Sequence, residues 1–383
     1  EAAGGGRIGQ VGRHRSGKQS RGPVRARQLR IGRRPGRTKA VAASSQPGLT
    51  VAVTGPTGEI GVPFVRALER SRGIGRILGM ARRPFDPGAH GFKRTEYRRG
   101  DVLDRGSVEG LVAEADVVVH LAFIIMGSAD ESHAINLEGS RNVFEAAIGA
   151  GVQRLVYASS VAAYGFHGDS PERITEDVPP RGTEAFYYSA QKAEVEGLLS
   201  DLLAGSSTDA YVFRPCIVAG PNGLLLVRNI PYVQIAGKLP GAVRRLFDVL
   251  PILKPVIPDP GVPFQLVHHD DVATAMRAAV LGRGEPGVYN LAAGDVLHMK
   301  DLAAALGWYS IPVPELGVDA AAELADRLPF LPPEAAWLNA FRAPVIMDTS
   351  KARRQLGWRP RHSSRDTLAE MVATAREELP GLA

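Results

Sequence analysis

Cysteine is nearly missing from this chain of 383 residues, which contains Cys216 and no other. One cysteine excludes an internal disulfide and a zinc site built from cysteines, so we expect a reducing compartment. Long apolar runs are missing as well. The best candidate, residues 117–126, is too short to cross a bilayer and is interrupted by His120. We therefore expect no membrane span and interpret this run as a buried strand.

Acidic residues are almost absent from the first 48 positions, which hold 12 of the 46 Lys and Arg but, of the 40 acids, only Glu1. The rest of the chain carries 34 basic and 39 acidic residues, a net charge of −5, so the overall charge of +6 belongs to this tail. The tail also lacks aromatic residues and hydrophobic periodicity, so it is predicted to be disordered. Because the remainder is mildly acidic, no nucleic acid partner is expected for it.

Three interpretations of the tail stay open. It is a leader without function, such as translated sequence ahead of the real start, an Arg-rich organelle transit peptide, or a nucleic-acid-binding arm. A cytoplasmic location is expected, with a plastid or mitochondrion as the alternative if the tail is a transit peptide. The chain begins with Glu1 rather than methionine, so a fragment is a further interpretation.

From residue 49 onward, short β-rich runs alternate with stretches of helical periodicity. This spacing is that of βαβ units and favours an α/β fold with a Rossmann-type, doubly wound parallel sheet. The predicted strands are residues 49–54, 76–81, 97–101, 116–122 and 154–159, and the predicted helices are 59–70, 104–113 and 136–149. Residues 49–215 are accordingly predicted to form the first domain.

The pattern changes in the second half of the chain. Seven prolines between residues 223 and 263 interrupt any long helix. Helical periodicity returns at residues 271–281, 301–306 and 364–379. Residues 216–383 are therefore predicted to form mostly a smaller, substrate-binding domain, with short strands near Gln265 and Tyr289 returning to the main sheet.

A glycine-rich turn, TGPTGEIG at residues 54–61, joins the first strand to the first helix. Gly55 permits the tight turn, Gly58 lets the backbone approach a pyrophosphate, and Gly61 lets helix and strand pack closely. Free N–H groups at the helix N-terminus favour an anion there. The turn predicts a dinucleotide cofactor, with a purely structural glycine turn as the alternative. The expected cofactor contacts here are Gly55, Thr57, Gly58, Glu59, Ile60 and Gly61.

The end of the second predicted strand lacks an acidic residue. NAD-binding proteins of this fold place Asp or Glu there to hold the ribose 2′-OH. Here Arg82 and Arg83 follow the strand instead, and two guanidiniums suit a 2′-phosphate. NADP is therefore favoured over NAD, and two solvated surface arginines are the alternative interpretation.

Tyr188 and Lys192 lie four residues apart, on one face of a predicted helix. Ser160 follows a buried strand at its carboxyl end, where ligands bind in open α/β sheets. A tyrosine titrates near 10, so it acts as an acid/base at neutral pH only if its phenolate is stabilised, here by the Lys192 ammonium. Ser160 would donate a hydrogen bond to the substrate oxygen. The three residues predict a catalytic site.

In these motifs the chain resembles an extended short-chain dehydrogenase/reductase, the family that includes nucleotide-sugar epimerases and dehydratases. The resemblance covers residues 49 to about 360. It rests on these segments: 54–61, 100–102, 120–122, Asn136, 157–165, 188–192, 214–215, 220–221, 267–273 and 348–358.

The resemblance implies further cofactor contacts. It assigns Asp101 and Val102 to the adenine, Leu121 and Ala122 to the ribose and diphosphate, Asn136 to a structural or cofactor-linked role, and Pro215 to the nicotinamide, beside Tyr188 and Lys192. It also makes Ser160 a better match to the catalytic serine than Ser159. One departure concerns Val161 and Ala162, which stand where the 4,6-dehydratases carry an acidic pair, so dehydration is not expected.

The leading prediction is an NAD(P)-dependent oxidoreductase or epimerase acting at a hydroxyl or carbonyl carbon of a small molecule. A nucleotide sugar and a more apolar carbonyl compound both stay open as substrates, and residues 224–227 with 247–253 suggest an apolar pocket wall or lid. A homodimer is compatible with the sequence. The alternative function is a non-catalytic NADP sensor, which has no need of Tyr188 and Lys192.

The sequence His268-His269-Asp270-Asp271 resembles a metal cluster, but no metal is expected there. Adjacent side chains on a strand point to opposite faces and seldom converge on one ion. We expect Asp270 or Asp271 to cap the helix that follows.

Overall fold

A computed structural model of the chain describes residues 48–125, 132–236, 254–313, 343–379 and 382. The predicted disordered tail lies outside the described residues except for Gly48, and so does the apolar stretch 247–253.

Eleven strands are defined in the described residues, and seven of them form one parallel sheet in the order β10-β6-β5-β4-β1-β2-β3. The strands are β1 Leu49–Thr54, β2 Ile74–Ala81, β3 Thr95–Arg99, β4 Val117–His120, β5 Arg154–Ala158, β6 Asp209–Pro215, β7 Ile217–Ala219, β8 Val256–Asp259, β9 Leu266–His268, β10 Gly287–Leu291 and β11 Tyr309–Pro312. The reversal of strand order at β1 and β4 is that of a doubly wound Rossmann fold, as predicted.

The helices connect these strands. They are α1 Gly61–Glu69, α2 Arg105–Val112, α3 Gly139–Gly149, α4 Tyr187–Leu202, α5 Leu225–Arg228, α6 Pro231–Ala236, α7 His269–Val280, α8 Met299–Leu306, α9 Ser350–Gln355 and α10 Ser364–Glu378. Short turns of 3-10 helix lie at Gly88–His90 and Val161–Tyr164, and a π-helical turn at Ala134–Glu138 precedes α3.

Apolar residues cover both faces of the sheet. On one face Val51 and Val53 pack with residues of α1 and α7, and on the other Ala52 and Val118 pack with residues of α2, α3 and α4. Strands buried on both faces lose the polar alternation of surface strands. That is why residues 117–119 are an unbroken run of valine.

The second half of the chain departs from one prediction. The strand near Tyr289, β10, does join the main sheet, where it pairs with β6. The strand near Gln265, β9, does not, because β10 occupies the edge of β6. It pairs instead with β7 in a separate two-stranded sheet, and β8 pairs with β11 in another. The division into domains at residue 215 stays a prediction.

The predicted helix over 136–149 is also modified, since its first residues form the π-helical turn Ala134–Glu138. Gly139 begins the regular helix at a close contact, because a Cβ on this residue would lie 2.5 Å from Cγ2 of Val102. Among the described residues, no helix combines the length and apolar character needed to cross a bilayer.

Candidate active site

The turn between β1 and α1 is shaped by close backbone contacts. Gly55 adopts φ +73°, and a Cβ there would lie 2.8 Å from the backbone nitrogen of Ala122. A Cβ on Gly61 would lie 2.3 Å from the carbonyl oxygen of Gly55. The helix begins at Gly61, two residues later than predicted, so Glu59 and Ile60 belong to the turn. The result is a tight cradle at a helix N-terminus, which fits a dinucleotide diphosphate.

A buried polar chain lies beneath this turn. The Thr54 hydroxyl is 2.7 Å from Nδ1 of His120, and Nε2 of His120 is 3.0 Å from the Ser140 hydroxyl. Burial lowers the pKa of His120 to about 3, and the positive charge of Lys192 acts in the same direction. His120 is therefore a neutral structural link. The adjacent Leu121 donates its backbone N–H to the Thr54 carbonyl, which brings the segment Leu121–Ala122 beside the glycine turn.

The end of β2 presents basic residues, as the sequence indicated. Arg82 and Arg83 are exposed. Their backbone carbonyls accept hydrogen bonds from Arg99 Nε, at 3.1 Å, and from the Tyr97 hydroxyl. Arg99, at the end of the neighbouring strand β3, is a third basic residue at this edge that sequence reasoning missed. Arg99 could have been found from the sequence, because it lies at the carboxyl end of the strand that follows β2.

Asp101 and Val102 follow β3. The Asp101 carboxylate accepts a hydrogen bond from the backbone of Leu103 at 3.1 Å, and Val102 is buried against Gly139. Their assignment to the adenine stays a prediction. Pro215 ends β6, and its assignment to the nicotinamide likewise stays a prediction.

The structure brings Ser160, Tyr188 and Lys192 together, and all three are buried. Ser160 follows β5, while the other two are one turn apart on α4. Burial raises the pKa of Tyr188 to about 12, and a hydrogen bond between Ser160 and Tyr188 opposes this increase. The Lys192 Nζ lies 5.9 Å from the centroid of the Tyr188 ring.

Three of the described residues lie close to the Lys192 ammonium. It donates hydrogen bonds to the carbonyl oxygen of Ala158, at 2.9 Å, and to the Tyr157 hydroxyl, at 3.3 Å. It also lies 3.5 Å from the centroid of the Phe123 ring. Burial lowers the pKa of Lys192 to about 7, partly opposed by the negative charge of Glu196. Sequence reasoning missed Tyr157 and Phe123 as contacts of the lysine.

A buried ion pair lies on the far side of this site. Arg214 donates to both carboxylate oxygens of Glu196, at 2.9 and 2.5 Å, and each side chain is at most 1% exposed. The Ser159 hydroxyl donates to the same carboxylate at 2.5 Å. Ser159 is therefore engaged in a structural contact, while Ser160 is the serine beside Tyr188. Glu196 is four residues beyond Lys192 on α4, a spacing from which this neighbour could have been found.

Asn136 has a structural role in the described contacts. Its side chain accepts from the backbone N–H of Ile124, donates to the Ile124 carbonyl, and donates to Gln191 at 2.8 Å. It thereby fixes the segment that follows β4 against helix α4. The predicted cofactor-linked role is untested.

The histidine cluster corrects two expectations. His268, not Asp270 or Asp271, caps α7, because its Nδ1 accepts the backbone N–H of Asp270 at 3.2 Å. The Asp271 carboxylate instead accepts the backbone N–H groups of residues 361 and 362. The adjacent rings of His268 and His269 do not diverge, since their centroids are 4.1 Å apart.

Two sets of side chains place possible ligand atoms within 4.8 Å of one another: His268, His362 and Glu370, and His268, His269 and Asp270. The His268 and His362 rings are stacked, with centroids 3.9 Å apart, and Nε2 of His268 lies 3.3 Å from the Glu370 carboxylate. That no metal binds here stays a prediction.

Fold and site together define a dinucleotide-dependent enzyme of the extended short-chain dehydrogenase/reductase type. The family model described as "NAD dependent epimerase/dehydratase family" matches residues 51–292. This match spans more than half of the chain, so the chain belongs to the NAD-dependent epimerase/dehydratase family.

Relatives within this family differ in their chemistry. The chain is 27% identical to the sterol demethylase protein B of Methylococcus capsulatus, over 86% of this chain and 99% of that protein. It is also 27% identical to a dTDP-glucose 4,6-dehydratase of Actinoplanes, over 86% and 98%. The UDP-glucose 4-epimerase structure of Thermotoga maritima aligns with a TM-score of 0.63 and 22% identity, over 86% of this chain and 100% of that chain. The last comparison supports the fold alone.

Proposed function

We propose that this enzyme catalyses reversible hydride transfer between a nicotinamide cofactor, preferably NADP, and a hydroxyl or carbonyl carbon, with Tyr188 as the acid/base. The observation that carries this proposal is the buried group formed by Ser160, Tyr188 and Lys192 at the carboxyl ends of the parallel strands. A non-catalytic sensor would not need this group, and the relatives named above are enzymes.

The glycine turn fits the cofactor. A Cβ on Gly55 or Gly61 would clash with backbone atoms, so only glycine allows this tight turn at the helix N-terminus. Gly55, Gly58 and Gly61 would hold the diphosphate. Arg82 and Arg83 would hold the 2′-phosphate. When bound, the cofactor accepts or supplies the hydride.

The side chains then handle the proton. In the direction of oxidation, Tyr188 as a phenolate removes the hydroxyl proton while the C–H electron pair leaves as hydride and the C=O bond forms. Ser160 donates a hydrogen bond to the same oxygen and orients it. The Lys192 ammonium lowers the pKa of Tyr188 by stabilising the phenolate. In reduction, Tyr188 returns its proton to the new alkoxide oxygen.

The surroundings of Tyr188 favour an apolar substrate over a nucleotide sugar. Tyr188 belongs to a cluster with Phe186, and the rings of Phe123 and Phe186 each lie 5.7 Å from its ring. Burying several sugar hydroxyls beside these rings would cost more free energy than burying an apolar carbon skeleton. The positive charge of Arg228, at the end of α5, acts on Glu59 in the glycine turn. Leu224 and Val227 are buried in an apolar cluster of the second half of the chain, and their role as a pocket wall stays a prediction.

A substrate panel tests the proposal. The protein is incubated with NADP and, in separate reactions, a 3-hydroxysteroid, a 3-hydroxy fatty acid, UDP-glucose and dTDP-glucose, and products are identified by mass spectrometry and NMR. We expect oxidation of a hydroxysteroid or a hydroxy acid and no change in either sugar nucleotide. Turnover of a sugar nucleotide alone would overturn the apolar substrate while leaving the chemistry in place.

Replacing Tyr188 tests the chemistry. The change Tyr188→Phe should lower kcat by a factor on the order of 10²–10⁴, because it removes the acid/base. The affinity for the cofactor should stay nearly unchanged, because the phenol acts in the transition state rather than in binding. Steady-state kinetics and a cofactor titration measure the two effects. A kcat near that of the wild type would refute the assignment.

A further inference from the structure

We propose that Tyr157 and Phe123 are positioning residues that hold the Lys192 ammonium beside Tyr188, an inference whose catalytic meaning rests on the function proposed above. The two residues come from different parts of the sheet edge. Tyr157 belongs to β5, and Phe123 follows β4. Both side chains contact an amine that is 3% exposed, so water contributes little to its solvation.

Each contact stabilises the charged form of the amine. An ammonium is a donor only, and the Tyr157 hydroxyl and the Ala158 carbonyl accept its hydrogen bonds at 3.3 and 2.9 Å. The negative face of an aromatic ring attracts a cation, and the attraction grows where water is excluded. The Phe123 ring lies 3.5 Å from Nζ. These contacts replace water around the charge.

Both aromatic side chains are themselves held in place. The Tyr157 ring stacks on His120, with centroids 5.8 Å apart, and meets the Phe144 ring edge-on at 5.4 Å. The Phe123 ring meets the Tyr188 ring at an interplanar angle of 86°. One phenylalanine therefore contacts both members of the Tyr–Lys pair, so it couples their positions.

In the described part of the chain, four charged or titratable groups face Lys192: His120 on β4, Tyr157 on β5, and Tyr188 and Glu196 on α4. His120 is neutral, because burial lowers its pKa to about 3. The Glu196 carboxylate is already paired with Arg214. The Tyr157 hydroxyl, the Ala158 carbonyl and the Phe123 ring therefore act together with the negative charge of Glu196 in stabilising the cation.

These contacts determine the direction in which the pKa of Lys192 changes when one of them is removed. Burial lowers the pKa of Lys192 to about 7, opposed by the negative charge of Glu196. Hydrogen-bond acceptors and the face of an aromatic ring also favour the ammonium over the neutral amine. Removing a contact that favours the ammonium must lower the pKa of Lys192 further. In catalysis, activity depends on the protonated amine and is lost as pH rises through this pKa. The alkaline limit of kcat should therefore move to lower pH.

Lysine titration by NMR tests this without a substrate. The chain contains eight lysines, so protein labelled with ¹³C at the lysine ε-carbon gives few signals, and Lys192→Met assigns the signal in question. We expect Tyr157→Phe to lower the pKa of Lys192 by about one unit, equivalent to ~1.4 kcal/mol. Phe123→Leu should lower it as well, whereas Phe123→Tyr keeps the ring and should titrate like the wild type.

The titrations test the positioning of Lys192 separately from the proposed chemistry of Tyr188. Wild-type titration in both Tyr157→Phe and Phe123→Leu would overturn the proposal, and a shift in one variant alone would overturn it for the other residue. Melting temperature and NADPH affinity verify that each variant is folded. If the shifts occur but Tyr188→Phe retains activity, the positioning stands and the proposed chemistry fails.

Discussion

Burial acts in opposite directions on the two titratable side chains of the site. It raises the pKa of Tyr188 to about 12 and lowers the pKa of Lys192 to about 7. In each case the charged form loses its hydration. A phenolate and an ammonium are each unfavourable alone in this environment and stabilise one another as a pair. The positive charge of an oxidised nicotinamide favours the phenolate in the same way, so we expect cofactor binding to lower the pKa of Tyr188.

Cofactor preference is also decided by individual residues. The change of both Arg82 and Arg83 to alanine should weaken NADPH binding about tenfold or more, since hydrogen bonds to charged groups contribute roughly 1.5–3 kcal/mol. NADH binding should stay almost unchanged, because NADH lacks the 2′-phosphate. Titration of both cofactors against intrinsic fluorescence measures the difference.

A matched control is Arg283→Ala, which removes an exposed arginine just before β10 at the opposite edge of the sheet. It should leave both affinities unchanged. Equal affinity of the wild type for NADH and NADPH would show that Arg82 and Arg83 are surface charges, and would favour an epimerase that retains NAD.

At the scale of an element, the unit formed by β1, the glycine turn and α1 depends on the missing side chain at Gly61. In the variant Gly61→Ala the new methyl would lie 2.3 Å from the Gly55 carbonyl oxygen and 2.6 Å from the carbonyl carbon of Pro56. Both atoms are backbone, so the turn itself must shift. We expect a loss of about 1–3 kcal/mol in the free energy of unfolding and weaker NADPH binding, measured by urea denaturation and titration.

Gly110 provides the comparison. It lies in α2, and a Cβ there would meet no atom within 4 Å. Gly110→Ala should therefore stabilise the protein by up to about 1 kcal/mol, the difference in helix propensity between the two residues. Similar effects of the two substitutions would contradict the close contact at Gly61.

At the scale of the whole molecule, the sheet has an apolar core on each face, and Gly48, the first described residue, packs against Gly75. Deleting residues 1–47 should leave the melting temperature and activity unchanged, because the sequence predicts a tail that contributes no packed surface. Scanning calorimetry and the assay used for the full chain measure this. A decrease of several degrees in the melting temperature would show that the tail docks on the body.

Much of the fold was predictable because the sequence patterns that indicate it lie within short stretches of the chain. Alternating β-rich and helical runs marked the first five strands, and the turn at residues 54–61 marked the cradle. The pair Tyr188 and Lys192 was visible because a four-residue spacing places two side chains on one face of a helix. The start of the helix predicted at residue 136 differed because Gly139 packs against Val102, a contact between distant parts of the chain. No local sequence pattern shows such a contact.

The sequence by itself therefore determined the alternation of strands and helices, the glycine turn and the placement of Tyr188 and Lys192 on one helix face, since each depends on residues close together in the chain. Only the tertiary structure decided what surrounds them. It placed Phe123 and Tyr157 on the Lys192 ammonium and paired Glu196 with Arg214. Contacts between segments distant in sequence arise from packing the whole sheet, and the solvation of a buried charge depends on these contacts rather than on its neighbours in sequence.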